Sequence, residues 1–335
     1  MKEAMLYQPL QDKKVQCNLC EHRCKIIDDS VGVCNVRKNV DGKLYSLVYG
    51  KTISQHVDPI EKKPLYHYFP GSTAYSIATP GCNFRCQWCQ NWEIAQMPRE
   101  FGKISGYEVT PSDIVANVKS NDCKSIAYTY TEPTIFFEFA YDISKIAKEK
   151  GIKNIFVTNG YMSKEMLEIY HPFLDAANVD LKAYSEKTYK RMVGARLQPV
   201  LDNLIEMKKL GIWIEVTTLV IPGINDDLGE LNEIAHFIAN ELDLDTPWHL
   251  SRFFPHYKTR NIPPTPIDRL IQVRDIGKRA GLRYVYLGNV GGDTNTICYQ
   301  CGKVLVRRSG YWIPENLMIK NSCPNCGARI AGIWS

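Results

Sequence analysis

The sequence predicts an α/β fold, a partial (β/α)6 barrel carried between two small cysteine-rich modules. Three observations lead there. Strand-like and helix-like stretches alternate through the middle of the chain, which implies a parallel sheet with right-handed crossovers. About six such units fit, too few for a complete eight-fold TIM-type barrel. Eleven of the 12 cysteines fall into three clusters, from Cys17 to Cys34, from Cys82 to Cys89 and from Cys298 to Cys326. That partition divides the chain into residues 1–70 (a metal-binding module with a lid), 71–296 (the barrel) and 297–335 (a second metal module).

The elements follow in order. Short β-branched or aromatic runs, bounded by turn residues or charge, place strands over 74–78, 125–130, 154–158, 178–181, 213–220, 249–254 and 284–287. Thr110-Pro111-Ser112-Asp113 reads as an N-cap with proline at the first helical position, opening a helix to about residue 119. Further helices fit 135–150, stopped by Gly151, and 164–170, 200–210, 230–241 and 266–280. The isolated Cys123 reads as a small core residue.

At 335 residues, 44% hydrophobic and 23% charged, the chain has enough apolar material for a core, which excludes wholesale disorder. No run of about 18 apolar residues occurs; Glu215 interrupts the best candidate. The opening residues lack the apolar stretch of a signal peptide, so the expected location is cytoplasmic, with no membrane partner. Thiols kept reduced there favour metal ligation over disulfides. The net charge of +5 is dispersed, which pulls only weakly towards nucleic acid and does not exclude it.

Gly81-Cys82-Asn83-Phe84-Arg85-Cys86-Gln87-Trp88-Cys89 directly follows the first of the seven strands. Three thiolates this close cannot complete a tetrahedral zinc site alone. They can hold three irons of a [4Fe–4S] cube and leave the fourth open. CxxxCxxC in this place resembles the radical S-adenosylmethionine (SAM) superfamily. The resemblance implies that Cys82, Cys86 and Cys89 are cluster ligands in the catalytic centre. It also implies that SAM chelates the open iron, that one electron splits its sulfonium, and that the 5′-deoxyadenosyl radical abstracts hydrogen from a substrate. Phe84 and Trp88 would lie at the cofactor, Trp88 against the adenine.

Further matches fall at strand ends. Thr131-Glu132, within Tyr130-Thr-Glu-Pro133, stands where the family contacts the SAM amino group. Thr158-Asn159-Gly160 and Asp180-Leu181-Lys182 are similar to segments of pyruvate formate-lyase activating enzymes, the second lying near the SAM carboxylate. Thr217 and the His256 of Phe254-Pro-His-Tyr257 complete the implied cofactor contacts. Three positions depart from those activases: Ala78 replaces a Phe, Val157 an Asp and Thr217 an Arg. A monovalent cation beside SAM is therefore not implied, and the differences weigh against a glycyl-radical activase. A fuller resemblance runs from Cys17-Asn-Leu-Cys-Glu-His-Arg-Cys24 through Asp58-Pro-Ile-Glu-Lys-Lys-Pro64 and Tyr130–Glu138 to Tyr286-Leu-Gly-Asn-Val290. It is similar to the AmmeMemoRadiSam-system radical SAM enzymes, which implies AMMECR-type and Memo-like partner proteins. A ferredoxin or flavodoxin is the implied electron donor.

The flanking cysteines read as separate metal sites. Cys298-x2-Cys301-Gly and Cys323-x2-Cys326-Gly are paired knuckles around a hairpin-like stretch, the pattern of a zinc ribbon. Cys17, Cys20, Cys24 and Cys34 suit Zn²⁺ or a second iron–sulfur cluster equally by spacing. Arg23, Lys25 and Arg37 tilt the expectation to zinc, since they would balance a doubly negative tetrathiolate. His249, Arg252, His256, Tyr257 and Arg260, with Asn289 and Asp293, are candidates for substrate contact, and the 58–69 segment for a lid that excludes water. Three functions compete: a radical SAM enzyme on an unidentified substrate, the same chemistry on a protein or RNA, and a non-enzymatic zinc-dependent scaffold.

Overall fold

The computed structural model describes residues 1–292 and 294–334; Asp293 lies outside the described residues. An eight-stranded sheet organises the chain. Its strands are β1 (Ser54–Pro59), β2 (Thr73–Ala78), β3 (Ser125–Tyr128), β4 (Lys153–Thr158), β5 (Ala176–Asp180), β6 (Trp213–Val220), β7 (Trp248–Arg252) and β8 (Val285–Gly288). They lie in sequence order, and β2 to β8 are parallel while β1 runs antiparallel at the edge. The helices between them are α1 (Pro111–Ser120), α2 (Phe137–Glu149), α3 (Lys164–Tyr170), α4 (Gln198–Lys209), α5 (Leu228–Phe237) and α6 (Ile267–Arg279). The expected α/β order is therefore present as an open parallel sheet, because β1 and β8 end it without pairing to each other.

Local chemistry explains where the elements begin and end. Thr110 caps α1 reciprocally: its Oγ1 accepts the Asp113 N–H at 3.2 Å and the Asp113 carboxylate accepts the Thr110 N–H at 2.9 Å. Strand β3 stops two residues before the expected end, since Tyr130 adopts φ +61°, which no strand can continue. Strand β5 starts earlier than expected at Ala176 and Ala177, residues of low strand propensity held by ladders on both sides.

Alternation along the strands sorts residues to two faces. Outward Ile77, Ile126, Tyr128, Phe156, Val179, Ile214 and Val216 join the main core under the helices. Inward Ala74, Ala127, Ile155 and Ala176 pack with Ile60, Leu65 and Tyr68 in a separate cluster. Residues 60–68 thus plug the end of the sheet where the strands begin. The functional groups gather at the opposite end.

Short antiparallel strands in residues 2–46 carry the first cysteine cluster. They join the central domain through a buried bidentate pair, Arg37 to Glu138 of α2 at 2.7 and 2.9 Å. At the other terminus β9 (Thr296–Ile297), β10 (Val304–Ser309) and β11 (Trp312–Asn316) make a three-stranded antiparallel sheet. Its own small core includes Tyr66, Tyr284 and Tyr286 from the central domain, so the module packs directly on the last strand of the large sheet. No helix among the described residues is long and apolar enough to cross a membrane.

Candidate active site

The loop after β2 carries Cys82, Cys86 and Cys89 along one side of a cavity of about 530 Å³. Two contacts fix this loop to neighbouring strand ends, and a third closes it on the helical turns that follow. Asn159 Nδ2 donates to Asn83 Oδ1 at 2.7 Å, Asn91 Nδ2 to the Tyr130 carbonyl at 2.7 Å, and Gln96 Nε2 to the Phe84 carbonyl at 3.0 Å. Gly81 is required where the loop begins: its φ is +104°, and a Cβ there would lie 2.6 Å from Val36 Cγ1. The Phe84 N–H points at Cys82 Sγ from 3.3 Å, a contact that stabilises charge on sulfur. Burial pushes the three thiols upward, Cys89 to about 12. A cationic group bound to all three sulfurs would reverse that shift, and three cysteines on one loop facing a cavity are a donor set that can hold such a group.

Of the other expected cofactor residues, Phe84, Trp88, Thr131, Glu132, Thr158, Asn159, Asp180, Lys182 and Thr217 line the same cavity. The buried Glu132 carboxylate knits β3 to β4. Its Oε1 accepts from Thr134 N–H, Thr134 Oγ1 and Thr158 Oγ1, and its Oε2 from the Asn159 N–H at 2.8 Å. Oε2 keeps the spare acceptor capacity. Lys182 Nζ sits 2.9 Å from Asp180 Oδ2. Burial opposes its charge, but Asp180 and Cys86 together hold it above the ordinary lysine range. A pinned ammonium beside a buried acceptor and three thiols is an arrangement that can hold a zwitterionic ligand.

His256 is the exception. It lies outside the cavity lining, because the chain turns away after Pro255 and closes on itself, with the His256 carbonyl accepting from the Thr259 N–H and hydroxyl. Among the substrate candidates His249 and Asn289 line the cavity; Arg252, Tyr257 and Arg260 do not.

Several lining residues were not expected as ligands: Glu61, Lys62, Lys63, Tyr66, Tyr130, Ser251 and Tyr311. The 58–64 motif supplies three of them, so its charge pattern was the available signal. Asp58 accepts from Lys62 at 2.8 Å, from Lys63 at 2.7 Å and from the Tyr130 hydroxyl. Burial lowers Lys63 to about 8 despite that partner. Glu215, fully buried, accepts the Tyr66 and His67 N–H groups and His249 Nε2 at 2.6 Å, which fixes His249 at the cavity floor. Tyr311 comes from the turn between β10 and β11, so the C-terminal module forms part of the wall.

The four C-terminal thiols lie within 4.8 Å of one another, with Cys298–Cys326 at 3.6 Å and Cys301–Cys323 at 3.7 Å. A tetrahedron with metal–sulfur bonds of about 2.3 Å has edges of about 3.8 Å, so this donor set fits one tetrahedral ion. The first cluster packs against the active loop: His22 Nε2 meets the Asn83 carbonyl at 2.8 Å, and Arg99 donates to the Val33 carbonyl. Of the three cations expected to balance thiolates there, Arg23 is engaged bidentately by Glu165, and Arg37 pairs with Glu138 while its charge still pulls the Cys34 thiol down against burial.

Comparison with known proteins agrees with this geometry. The sequence pattern of the radical SAM superfamily matches residues 76–238. An uncharacterized protein of Methanocaldococcus jannaschii is 46% identical, with 98% of this chain and 99% of that protein covered. The pyruvate formate-lyase-activating enzyme of Clostridium pasteurianum is 24% identical over 48% of this chain and 67% of its own length. Among solved structures, a radical SAM methyltransferase from Sphaerobacter thermophilus superposes with a TM-score of 0.52 at 14% identity, covering 66% of this chain and 67% of that one. At that identity the likeness is one of fold.

Proposed function

The chain belongs to the radical SAM superfamily, and from that premise we propose that it cleaves SAM reductively at the 82–89 loop and abstracts hydrogen from a substrate held in the same cavity. The observation that carries this reading is the convergence of three cysteines with Glu132, Asp180 and Lys182 on one cavity at the strand ends. Cys82, Cys86 and Cys89 would hold a [4Fe–4S] cluster, which would supply the electron for reductive cleavage of SAM. The chain's residues do the rest. Lys182 would attract the SAM carboxylate, Glu132 Oε2 would accept from its amino group, and Trp88 would pack on the adenine. Thr158, Asn159 and Thr217 fix the remaining polar edges. The plug at residues 60–68 and the Tyr311 turn keep water from the cavity, which protects a reactive radical.

The finer assignments belong to the same proposal. Residues 1–70, 71–296 and 297–335 act as cysteine module, catalytic barrel and zinc ribbon, with Zn²⁺ in the ribbon and Zn²⁺ or a second iron–sulfur cluster at Cys17, Cys20, Cys24 and Cys34. The enzyme works in the cytoplasm within an AmmeMemoRadiSam system, beside AMMECR-type and Memo-like proteins. A second reading, action on a protein or RNA as activases act on proteins, draws support from Tyr311, which is at once exposed and part of the cavity wall. The non-enzymatic scaffold is set aside by family membership. Anaerobically reconstituted protein given SAM and dithionite should form 5′-deoxyadenosine, measured by mass spectrometry, and Cys86→Ala should not. No product from protein with verified iron and sulfide, substrate candidates included, contradicts the reading.

A further inference from the structure

Three lysines line the cavity: Lys62, Lys63 and Lys182. SAM has a single carboxylate, for which Lys182 is placed, so the first two have no counter-charge in that ligand. Both belong to the plug, and both reach the same residue. Lys62 Nζ donates to Asp58 Oδ1 at 2.8 Å and Lys63 Nζ to Asp58 Oδ2 at 2.7 Å, and the Tyr130 hydroxyl donates to the same carboxylate. Two cations therefore share one anion. The Lys62 side chain is 45% exposed and that of Lys63 only 2%, so water screens the first charge and not the second.

A second, buried ammonium is a poor device for holding the fold together. Asp58 already has Lys62, and taking Lys63 out of water costs more than half of a shared carboxylate returns. The charges acting on Lys63 are Asp58 and Lys62, one of each sign, and burial lowers it to about 8. Of its three protons one goes to Asp58, and its other neighbour is the Tyr130 ring, 4.4 Å away at the centroid. Donor capacity is left for whatever the cavity holds. Glu61, next but one in the chain, does not neutralise it. Glu61 Oε1 accepts the Gly71 N–H at 2.9 Å and lies 4.0 Å from Arg308 Nε, while its buried Oε2 has no partner. A buried oxygen left bare is costly unless a ligand's donor completes it. Tyr130 ties this corner to the chemistry: its carbonyl accepts from Asn91 of the cysteine loop at 2.7 Å while its hydroxyl reaches Asp58.

We propose that the substrate is a small anionic molecule, a carboxylate or a phosphate ester, whose charged group sits on Lys63 at the plugged end of the cavity. The proposal rests on the SAM-cleaving reading and names the substrate class of the same site. Glu61 Oε2 accepts from a hydroxyl or amine of that molecule. With its charge anchored at one end, the rest of the substrate extends towards the cysteine loop, and the anchor decides which C–H lies nearest the radical. No bond forms or breaks at Lys63.

The test uses the reconstituted full chain, saturated with SAM in the absence of reductant so that Lys182 is occupied. Acetate, inorganic phosphate and the neutral acetamide are titrated by calorimetry at constant ionic strength. At least one anion should bind saturably, and acetamide should not. In Lys63→Met, where Asp58 keeps Lys62, that anion should bind at least tenfold more weakly; the exposed Lys119→Met should match the wild-type protein. A wild-type pH profile needs no variant and serves if Lys63→Met fails to fold. Anion affinity should hold level to about pH 8 and then fall about tenfold per unit as Lys63 loses its proton. Of the groups around it, Asp58 is held below the ordinary carboxylate range and Lys182 above the ordinary lysine range, so neither titrates there. Binding of neither anion overturns the proposal. So does acetamide binding as well as acetate, an affinity unchanged in Lys63→Met, or an affinity flat through pH 8. Acetate without phosphate upholds it for a carboxylate, and phosphate without acetate for a phosphate ester. Protein with verified iron and sulfide that binds no SAM counts instead against the SAM-cleaving reading. The Lys63→Met comparison, run without SAM, then still decides the anion site, because Lys182 is intact in both proteins.

Discussion

Cys298, Cys301, Cys323 and Cys326 complete a tetrahedron of sulfurs among themselves, whereas Cys82, Cys86 and Cys89 share their space with a cavity, an ammonium and a buried carboxylate. Four ligands at contact spacing close a coordination sphere and serve structure; three leave a position for a ligand that reacts. The same side chain thus supports two functions, and the count of partners decides which. The two regions also touch. Arg308 of β10, fully buried, donates to the Tyr66 carbonyl at 2.7 Å and lies over the Tyr66 ring, and Tyr66 lines the cavity.

The comparison breaks most sharply at the cysteines. Cys86→Ala should remove iron and sulfide from the 82–89 loop and leave the C-terminal ion at one equivalent, by metal analysis of the anaerobic protein. Loss of both metals would merge sites that the geometry keeps apart. Cys323→Ser should do the reverse, releasing the C-terminal ion. Dithionite-driven SAM cleavage should then fall several-fold without vanishing, since Tyr311 and Arg308 lose their support but the loop does not. Full activity after proven metal loss would show that the module contributes nothing to the wall.

The junction between the regions should titrate. His67, fully buried, donates from Nδ1 to the Ala331 carbonyl at 2.7 Å and accepts the Tyr286 hydroxyl at Nε2. Burial lowers it to about 4, against about 6.5 in an unfolded chain. Between those values the unfolded state binds the extra proton, so its contribution is fully present above pH 6.5 and is lost as pH falls towards 4. Stability should drop by about 1.4 kcal/mol per pH unit across that window, about 3 kcal/mol in all. Urea unfolding at stepped pH checks this, with His67→Gln flattening the slope; an unchanged slope would place the acid sensitivity elsewhere. A last effect is expected at Glu132→Gln. Weakening an acceptor of four donors costs about 1–3 kcal/mol, so SAM affinity should fall by about tenfold in calorimetry. Wild-type affinity would remove Glu132 from the binding role.

Much of this was legible in the sequence because it is local. The α3 boundaries, the Thr110 cap and the alternation of strand and helix depend on residues a few positions apart. The CxxxCxxC loop and the C-terminal knuckles are likewise short-range patterns. What stayed hidden is set by long-range contact. Nothing near Tyr311 signals that it faces a cavity whose cysteines lie more than 200 positions earlier, and nothing near Arg37 signals Glu138 as its partner. His256 differs in the other direction: it follows the expected strand end, but the turn after Pro255 carries it away from the lining.

The most direct test of an open site at the three-cysteine loop is electron paramagnetic resonance of the dithionite-reduced protein with and without SAM. SAM should shift the g values of the reduced cluster in the wild-type protein, and the Cys86→Ala protein should lack the responsive signal. A wild-type spectrum identical with and without SAM would contradict the account.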